Sequence, residues 1–313
     1  MKSRLRKKGE GASSLLILES EYQVMPIPLE PKREQPGTYF AQNRANQEEL
    51  RRLQLLDYAT SASMGGVLPE QPDPTIFPHV LDVGCGTGGW LIELARTTPT
   101  CTLLVGVDKN PTFIEYARAQ ADVAQVSDRV EFRVGDALGM LEFPVGLFDL
   151  VNHRFAVSWL RTWDWPKLLQ EYRRVARPGG VIRITEGDIW ATNGQAHARV
   201  FDVFLQAMYR SGHYFLPGES GATGELAHLL SRHGFQQVQT RDYTLEYHSG
   251  TPEGPPFFEN IQISYQTVMP FLRKWARVPE NYEEIYQEAI CEMQRPDFVA
   301  TWHLLTAWGR ELA

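Results

Sequence analysis

Three aspartates close three apolar runs in this chain: Asp82 in "HVLDVG", Asp108 in "CTLLVGVD" and Asp136 in "RVEFRVGDA". Straight after the first run comes "LDVGCGTGGW", residues 81–90, with four glycines close together. A loop so poor in side chains lets backbone approach a ligand, and carboxylates beside it can accept hydrogen bonds. The loop fits two spacings. Gly84, Gly86 and Gly89 satisfy G-x-G-x-x-G, whose loop meets a dinucleotide pyrophosphate. Asp82 with Gly84, Gly86 and Gly88 satisfies D-x-G-x-G-x-G. The loop alone does not choose between them.

These residues need a sheet to hold them. "HVLDVG", "CTLLVGVD", "RVEFRVGDA", "LFDLVNHR" and "VIRITEGD" read as five strands, and "TGGWLIELARTTP", "NPTFIEYARAQADVAQ" and "WPKLLQEYRRVAR" as helices between them. Asn110 is placed to cap the second of those helices with Pro111 at its first position, and "PGG" is expected to end the third. Near-continuous apolar strands alternating with helices imply a parallel sheet covered on both faces, wound by right-handed crossovers. In such a sheet the ligand lies outside the carboxyl ends of the strands, where all three aspartates fall.

Upstream, residues 1–34 read as a flexible tail, and residues 35–66 as a cap helix with Leu50, Leu53, Leu56 and Tyr58 near helical spacing. Residues 67–188 make the α/β core. Over 189–313 the rhythm changes: "DVFLQAMYRSGHY", "GELAHLLSRHGF", "FFENIQISYQTVMPFLRKWA" and "NYEEIYQEAICEMQ" read as helices, "QQVQTRDYTLEYH" and "FVATWHLLTAWGRE" as strands. The expected fold is a Rossmann-like, doubly wound, seven-stranded sheet, mostly parallel with an antiparallel last strand, under a helical cap rich in aromatics.

Bulk properties narrow the partners. A net charge of −7 over 313 residues argues against nucleic acid, since phosphate binding wants a basic face. No stretch reads as a membrane span or signal peptide, so a cytoplasmic protein is expected. Cys85, Cys101 and Cys291 have no pairing or C-x-x-C spacing, and no metal site is expected. Monomer and homodimer both stay open.

Asp108 suits the two hydroxyls of an adenosine ribose, which a nicotinamide dinucleotide or S-adenosylmethionine would both supply. The third and later strands discriminate. The ordered string "LDVGCGTGGW", "GVDKNP", "VEFRVGDA", "FDLVNHRF" and "DWPKLLQEYRRVARPGG" resembles class I S-adenosylmethionine-dependent methyltransferases over residues 39–188, and looks most like their small-molecule branch of quinone and secondary-metabolite pathways. The resemblance implies S-adenosylmethionine as cofactor. Asp108 and Lys109 would then face the ribose and adenine edge, with Asp136 accepting from the adenine amino group and Ala137 offering backbone. Gly84, Cys85 and Gly86 form the turn beneath the cofactor, and the helix start near Thr87 and Gly88 favours its methionine carboxylate. Asp82 either holds the ammonium or pins the loop. Tyr39 is carried over from the segment that caps the cofactor in relatives. Where the family often shows a Gln-His pair, this chain has Leu56 and Asp57, which puts any role of that pair in doubt.

Methyl transfer from a sulfonium is an in-line displacement that alignment in a dry site can accelerate, so no particular base is required. "VNHRF" places Asn152, His153 and Arg154 beside the expected methyl, with Asn152 on the cofactor side. His153 can be a base or a packed ring; Arg154 can orient an anionic acceptor or pair with a sheet carboxylate. Glu186, closing the fifth strand, is the third catalytic candidate. A small, partly apolar acceptor is expected. RNA or protein methylation, or a non-catalytic S-adenosylmethionine-binding protein, are the alternatives.

Overall fold

The computed structural model describes residues 47–188, 190–218 and 220–312. The tail over 1–34, residues 35–46 and Tyr39 lie outside the described residues.

The five apolar runs form parallel strands β1 (His79–Val83), β2 (Leu103–Asp108), β3 (Val130–Val134), β4 (Phe148–Arg154) and β5 (Ala176–Gly187), in the order β3-β2-β1-β4-β5. Every residue of β4 but the last is buried, as expected of a strand covered on both faces. The crossovers run through helices α2 (Gly89–Thr97), α3 (Pro111–Val123) and α4 (Trp165–Val175). The Asn110 carboxamide accepts from the Thr112 N–H at 3.0 Å and Pro111 opens α3, so the expected cap is present.

The far side of the sheet turns antiparallel. Strand β8 (Val299–Arg310) runs against β5 on one side and β7 (Gln236–His248) on the other. A two-residue β6 (Ala191–Thr192) pairs with β8 beyond the end of β5. The sheet thus has eight strands, seven long ones and this short addition to the expected count, with the last strand antiparallel.

Two local expectations are corrected. Arg177-Pro178-Gly179-Gly180 does not separate α4 from the fifth strand but belongs to β5, where pairing jumps from Phe148–Ala176 to Leu150–Val181. A bulge absorbs the proline, whose missing N–H then costs no regular ladder bond. The run "FFENIQISYQTVMPFLRKWA" is two helices, α7 (Gly254–Thr267) and α8 (Met269–Trp275). Pro270 cannot donate to the turn before it, and the break falls just ahead of it.

Helix α1 (Gln47–Ser63) lies across the sheet's carboxyl edge and packs on α7. Its leucines at 50, 53 and 56 are only half-buried and Tyr58 is exposed. Its buried residues are Glu49, Arg52, Ala59 and Thr60, and Arg52 makes two bonds to Glu49, at 2.7 and 2.8 Å, and one to Asn260 of α7 at 3.3 Å. Together with α5 (Gln195–Arg210), α8 and α9 (Tyr282–Met293), α7 encloses an aromatic-rich core of its own, whereas α6 (Leu226–Arg232) packs on the sheet. The described residues hold no helix long and apolar enough to cross a membrane.

Candidate active site

One cleft opens at the carboxyl ends of β1, β2, β3 and β4, and continues under the cap. Its floor is the loop after β1. The Gly84 and Cys85 N–H groups both donate to the Val107 carbonyl, at 2.8 and 3.0 Å, tying the loop to β2. Gly84 has φ +71°, and a Cβ there would also press 3.3 Å against the Trp159 ring, so the position wants glycine twice over. Gly88, at φ +78°, caps α2 with no side chain over the helix start, and a Cβ on it would overlap Phe132 at 2.5 Å. Thr87, just ahead of α2, lines the cleft, so the positive end of that helix borders it.

Asp108 braces this floor. One carboxylate oxygen accepts from the Gly86 N–H at 3.1 Å and the other from the Asn110 N–H at 2.8 Å. A carboxylate accepts about four such bonds, so bracing the loop is compatible with contacting a ligand. Asp136 lines the next part of the rim. Its oxygens take Lys109 Nζ at 2.7 Å and the Leu138 N–H at 3.0 Å. Partial burial works upward on this carboxyl, but those two donors outweigh it and hold the group below its usual range. Lys109, Ala137 and Cys85 also line the cleft; burial pushes the Cys85 thiol well up, which makes it a packing residue rather than a thiolate.

Asp82 begins a buried polar chain. It accepts from Asn152 Nδ2 at 2.7 Å; Asn152 Oδ1 accepts from Arg183 Nη1 at 2.8 Å; Arg183 Nε meets Glu70 at 2.6 Å. Burial raises Asp82 to about 7, with Arg154 and Asn152 pulling it back and Asp57 pushing it further. Asn152 is fully buried behind Asp82 and is absent from the cleft wall, so it reaches a ligand only through that carboxylate.

The three catalytic candidates divide. Arg154 lines the cleft, but its partner is not a sheet carboxylate: Nη2 pairs with Asp57 of α1 and Nη1 donates to Ser61 at 3.3 Å. His153 and Glu186 are fully buried and outside the cleft wall. The His153 ring stacks on Trp165 and is held from both sides, Nδ1 by the Tyr172 hydroxyl at 2.9 Å and Nε2 by Glu186 at 3.1 Å. Neither is where a direct proton acceptor from substrate would stand.

Other wall residues lie outside the expected set of site residues. Asp57 and Leu53 arrive from α1, Phe113 from α3 and Trp159 from the turn after β4. Under the cap the wall is mainly apolar and aromatic, with Trp190, Phe201, Phe204, Tyr265, Leu272 and Trp302, and Asp188, Asn260 and Ser264 add polar groups to it. Among the described residues no group of His, Cys, Asp and Glu could hold a metal ion.

Residues 80–180 match the methyltransferase-domain family model, which spans the glycine loop and the ends of β1 to β4. The chain carries a methyltransferase domain. Beyond it, a 183-residue stretch is 30% identical to the secondary metabolism regulator laeA of Coprinopsis cinerea, covering 54% of this chain and 42% of that protein. A 101-residue stretch is 38% identical to the demethylmenaquinone methyltransferase of Lactiplantibacillus plantarum, covering 32% of this chain and 41% of that one. The methyltransferase domain thus sits in a chain that spans less than half the length of these curated relatives. Among solved structures, the YcgJ protein of Bacillus subtilis aligns over 80% of this chain and 99% of its own, with a TM-score of 0.52 at 15% identity. That likeness extends the shared fold past the domain itself.

Proposed function

We propose that this protein transfers the methyl group of S-adenosylmethionine to a small, partly apolar organic acceptor held under the helical cap. The observation that carries the reading is one continuous cleft with two kinds of wall. Its first half joins the glycine loop to Asp82, Asp108 and Asp136; its second half is aromatic.

The residues present fit the cofactor. Asp108, at the end of β2, is suited to the ribose hydroxyls, and Asp136 with Ala137 to the adenine edge. A buried carboxyl raised to about 7, Asp82, is a group that a ligand cation would stabilise in its charged form. When bound, the cofactor supplies an electrophilic methyl on a positively charged sulfur. The protein's part is positional: the turn from Phe155 to Trp159 covers the floor, while α1 and the cap exclude water. His153 and Glu186 hold that turn from behind, because Glu186 Oε1 also accepts from the Val157 N–H at 3.1 Å. They are positioning residues in this reading, with no role as bases.

An acceptor suited to such a cap is lipophilic and ring-shaped, such as a quinol, a phenol or a heterocyclic amine. Titration calorimetry with S-adenosylmethionine, S-adenosylhomocysteine and NAD tests the cofactor, and transfer of labelled methyl to those three acceptor classes tests the reaction. Tight NAD binding without an S-adenosylmethionine signal would falsify the reading.

A further inference from the structure

We propose that Arg154 and Asp57 together clamp the α-amino-acid end of the cofactor, Arg154 taking its carboxylate while Asp57 and Asp82 share its ammonium. This rests on the cofactor reading above and moves Arg154 from the acceptor to the cofactor.

The geometry is that of a charge pair built into a cleft wall. Arg154 rises from the end of β4 and Asp57 hangs from α1, ninety-seven residues away in sequence. Their side chains are 8% and 24% exposed, and both line the cleft beside Asp82. Holding two charges out of water is costly, and a pair of this kind is rarely a source of net stability. Here it stands beside the glycine floor, where a zwitterion would have to be recognised.

The second Asp57 oxygen fixes the direction. A Cβ placed on Gly89, the first residue of α2, would come within 2.8 Å of Asp57 Oδ2. The positive end of α2 therefore already faces a resident carboxylate. A second carboxylate arriving there would be repelled by Asp57 and drawn instead to Arg154. Guanidinium carries five N–H donors, of which Nη2 serves Asp57 and Nη1 makes a 3.3 Å bond to Ser61.

Charge counting agrees. Asp57, Asp82 and Arg154 sum to one excess negative charge when ionised, and Asp57 adds to the cost of ionising Asp82. Burial raises the Asp57 carboxyl as well, with Arg154 opposing. A zwitterion seated here alternates signs around the ring, with ammonium between two carboxylates and carboxylate on the guanidinium. No bond forms or breaks.

The test is calorimetry on the full chain with S-adenosylhomocysteine and with 5′-methylthioadenosine, which keeps adenosine and sulfur but lacks the amino-acid end. Wild type should prefer S-adenosylhomocysteine by about tenfold or more, and Arg154→Met and Asp57→Asn should each erase most of that preference. Binding of 5′-methylthioadenosine should stay within about twofold, which also reports an intact adenosine site. Decarboxylated S-adenosylmethionine separates the two partners: Asp57→Asn should weaken it and Arg154→Met should not. Equal losses for both nucleosides would reduce the pair to a strut between α1 and β4, and unchanged S-adenosylhomocysteine affinity in both variants overturns the clamp. Wild type that binds neither nucleoside overturns the cofactor reading and the clamp with it.

Discussion

His153 Nε2 and Glu186 Oε1 meet at 3.1 Å in a fully buried contact, and the same Glu186 oxygen takes the Val157 N–H. One carboxylate thus joins the end of β4 to the turn that roofs the glycine loop. The Phe155 backbone in that turn sits at φ +55°, a strained position for an aromatic residue, and its ring stacks on Trp302 at 5.4 Å. The turn is held by Glu186 at Val157, by the Thr185 carbonyl that accepts from the Phe155 N–H at 2.9 Å, and by the Trp302 stack.

Glu186→Gln should therefore slow methyl transfer by roughly tenfold to a hundredfold while leaving S-adenosylhomocysteine affinity within about twofold, because misplacing the turn harms alignment more than binding. Single-turnover rates and calorimetry on the same variant separate the two effects. Glu186→Ala strands the His153 and Val157 donors in a dry site and should cost about 2–4 kcal/mol of stability. Full turnover by the glutamine variant would show that the turn holds itself.

Asp108→Ala should weaken S-adenosylmethionine binding by about 1.5–3 kcal/mol, the scale of charge-assisted hydrogen bonds to a pair of hydroxyls. Part of that loss comes through the floor, since Asp108 also takes the Gly86 and Asn110 N–H groups. Asp108→Asn keeps one acceptor for those amides and should lose less. A folded alanine variant with wild-type affinity would remove Asp108 from the ribose.

Much of this was readable because it is local. An apolar run ending in aspartate and followed by glycines specifies a strand, its end and a bare turn within a dozen or so residues, and Asn110-Pro111 specifies a helix start within two. The wall that closes the cleft is different in kind. Asp57 reaches Arg154 only after α1 has docked on α7, and the buried Glu49–Arg52–Asn260 set that docks it breaks the apolar spacing a surface helix shows. In "LQLLDYAT" the resemblance marks Asp57 only as a departure from the family's Gln-His pair, and nothing local in the stretch announces its pairing with Arg154. Pro270 and the "PGG" of β5 were visible but misjudged, since a proline can end a helix or sit in a strand bulge depending on what packs beside it.

Asp82 makes cofactor binding depend on pH in a stated direction. Without ligand its carboxyl is raised to about 7, first by burial and then by Asp57, against Arg154, Asn152 and Arg183. A ligand ammonium favours the ionised form, so binding near pH 6 must expel a proton, and affinity should rise as pH climbs toward about 7 and then level off. Calorimetry at about pH 6.5 in two buffers of different ionisation enthalpy reads the proton directly. The fold responds in the opposite sense. Between the unfolded value near 4 and the folded value the native state holds the extra proton, so the ligand-free protein loses stability as pH rises through that window. The rise in melting temperature on adding S-adenosylhomocysteine should consequently be larger at about pH 8 than at pH 6. Binding with no proton release would place the ammonium away from Asp82.

The cap offers the sharpest separation of acceptor from cofactor. Phe204 lies on α5, half-buried, and lines the aromatic half of the cleft, while Asp108 and Asp136 line the other. Trimming it to alanine removes apolar wall from one half without touching a hydrogen bond in the other. Losing that contact should cost an apolar acceptor about 1–3 kcal/mol, a fall of roughly fivefold to a hundredfold in kcat/KM. The loss should sit mainly in KM, because the ring contributes binding that is the same in ground state and transition state. Affinity for S-adenosylhomocysteine should stay within about twofold, and the fold should survive, since Phe204 borders the cap core rather than filling it. Should kcat/KM hold steady for every acceptor that wild type methylates, the acceptor does not lie under α5, and the cap is there only to keep water from the cofactor.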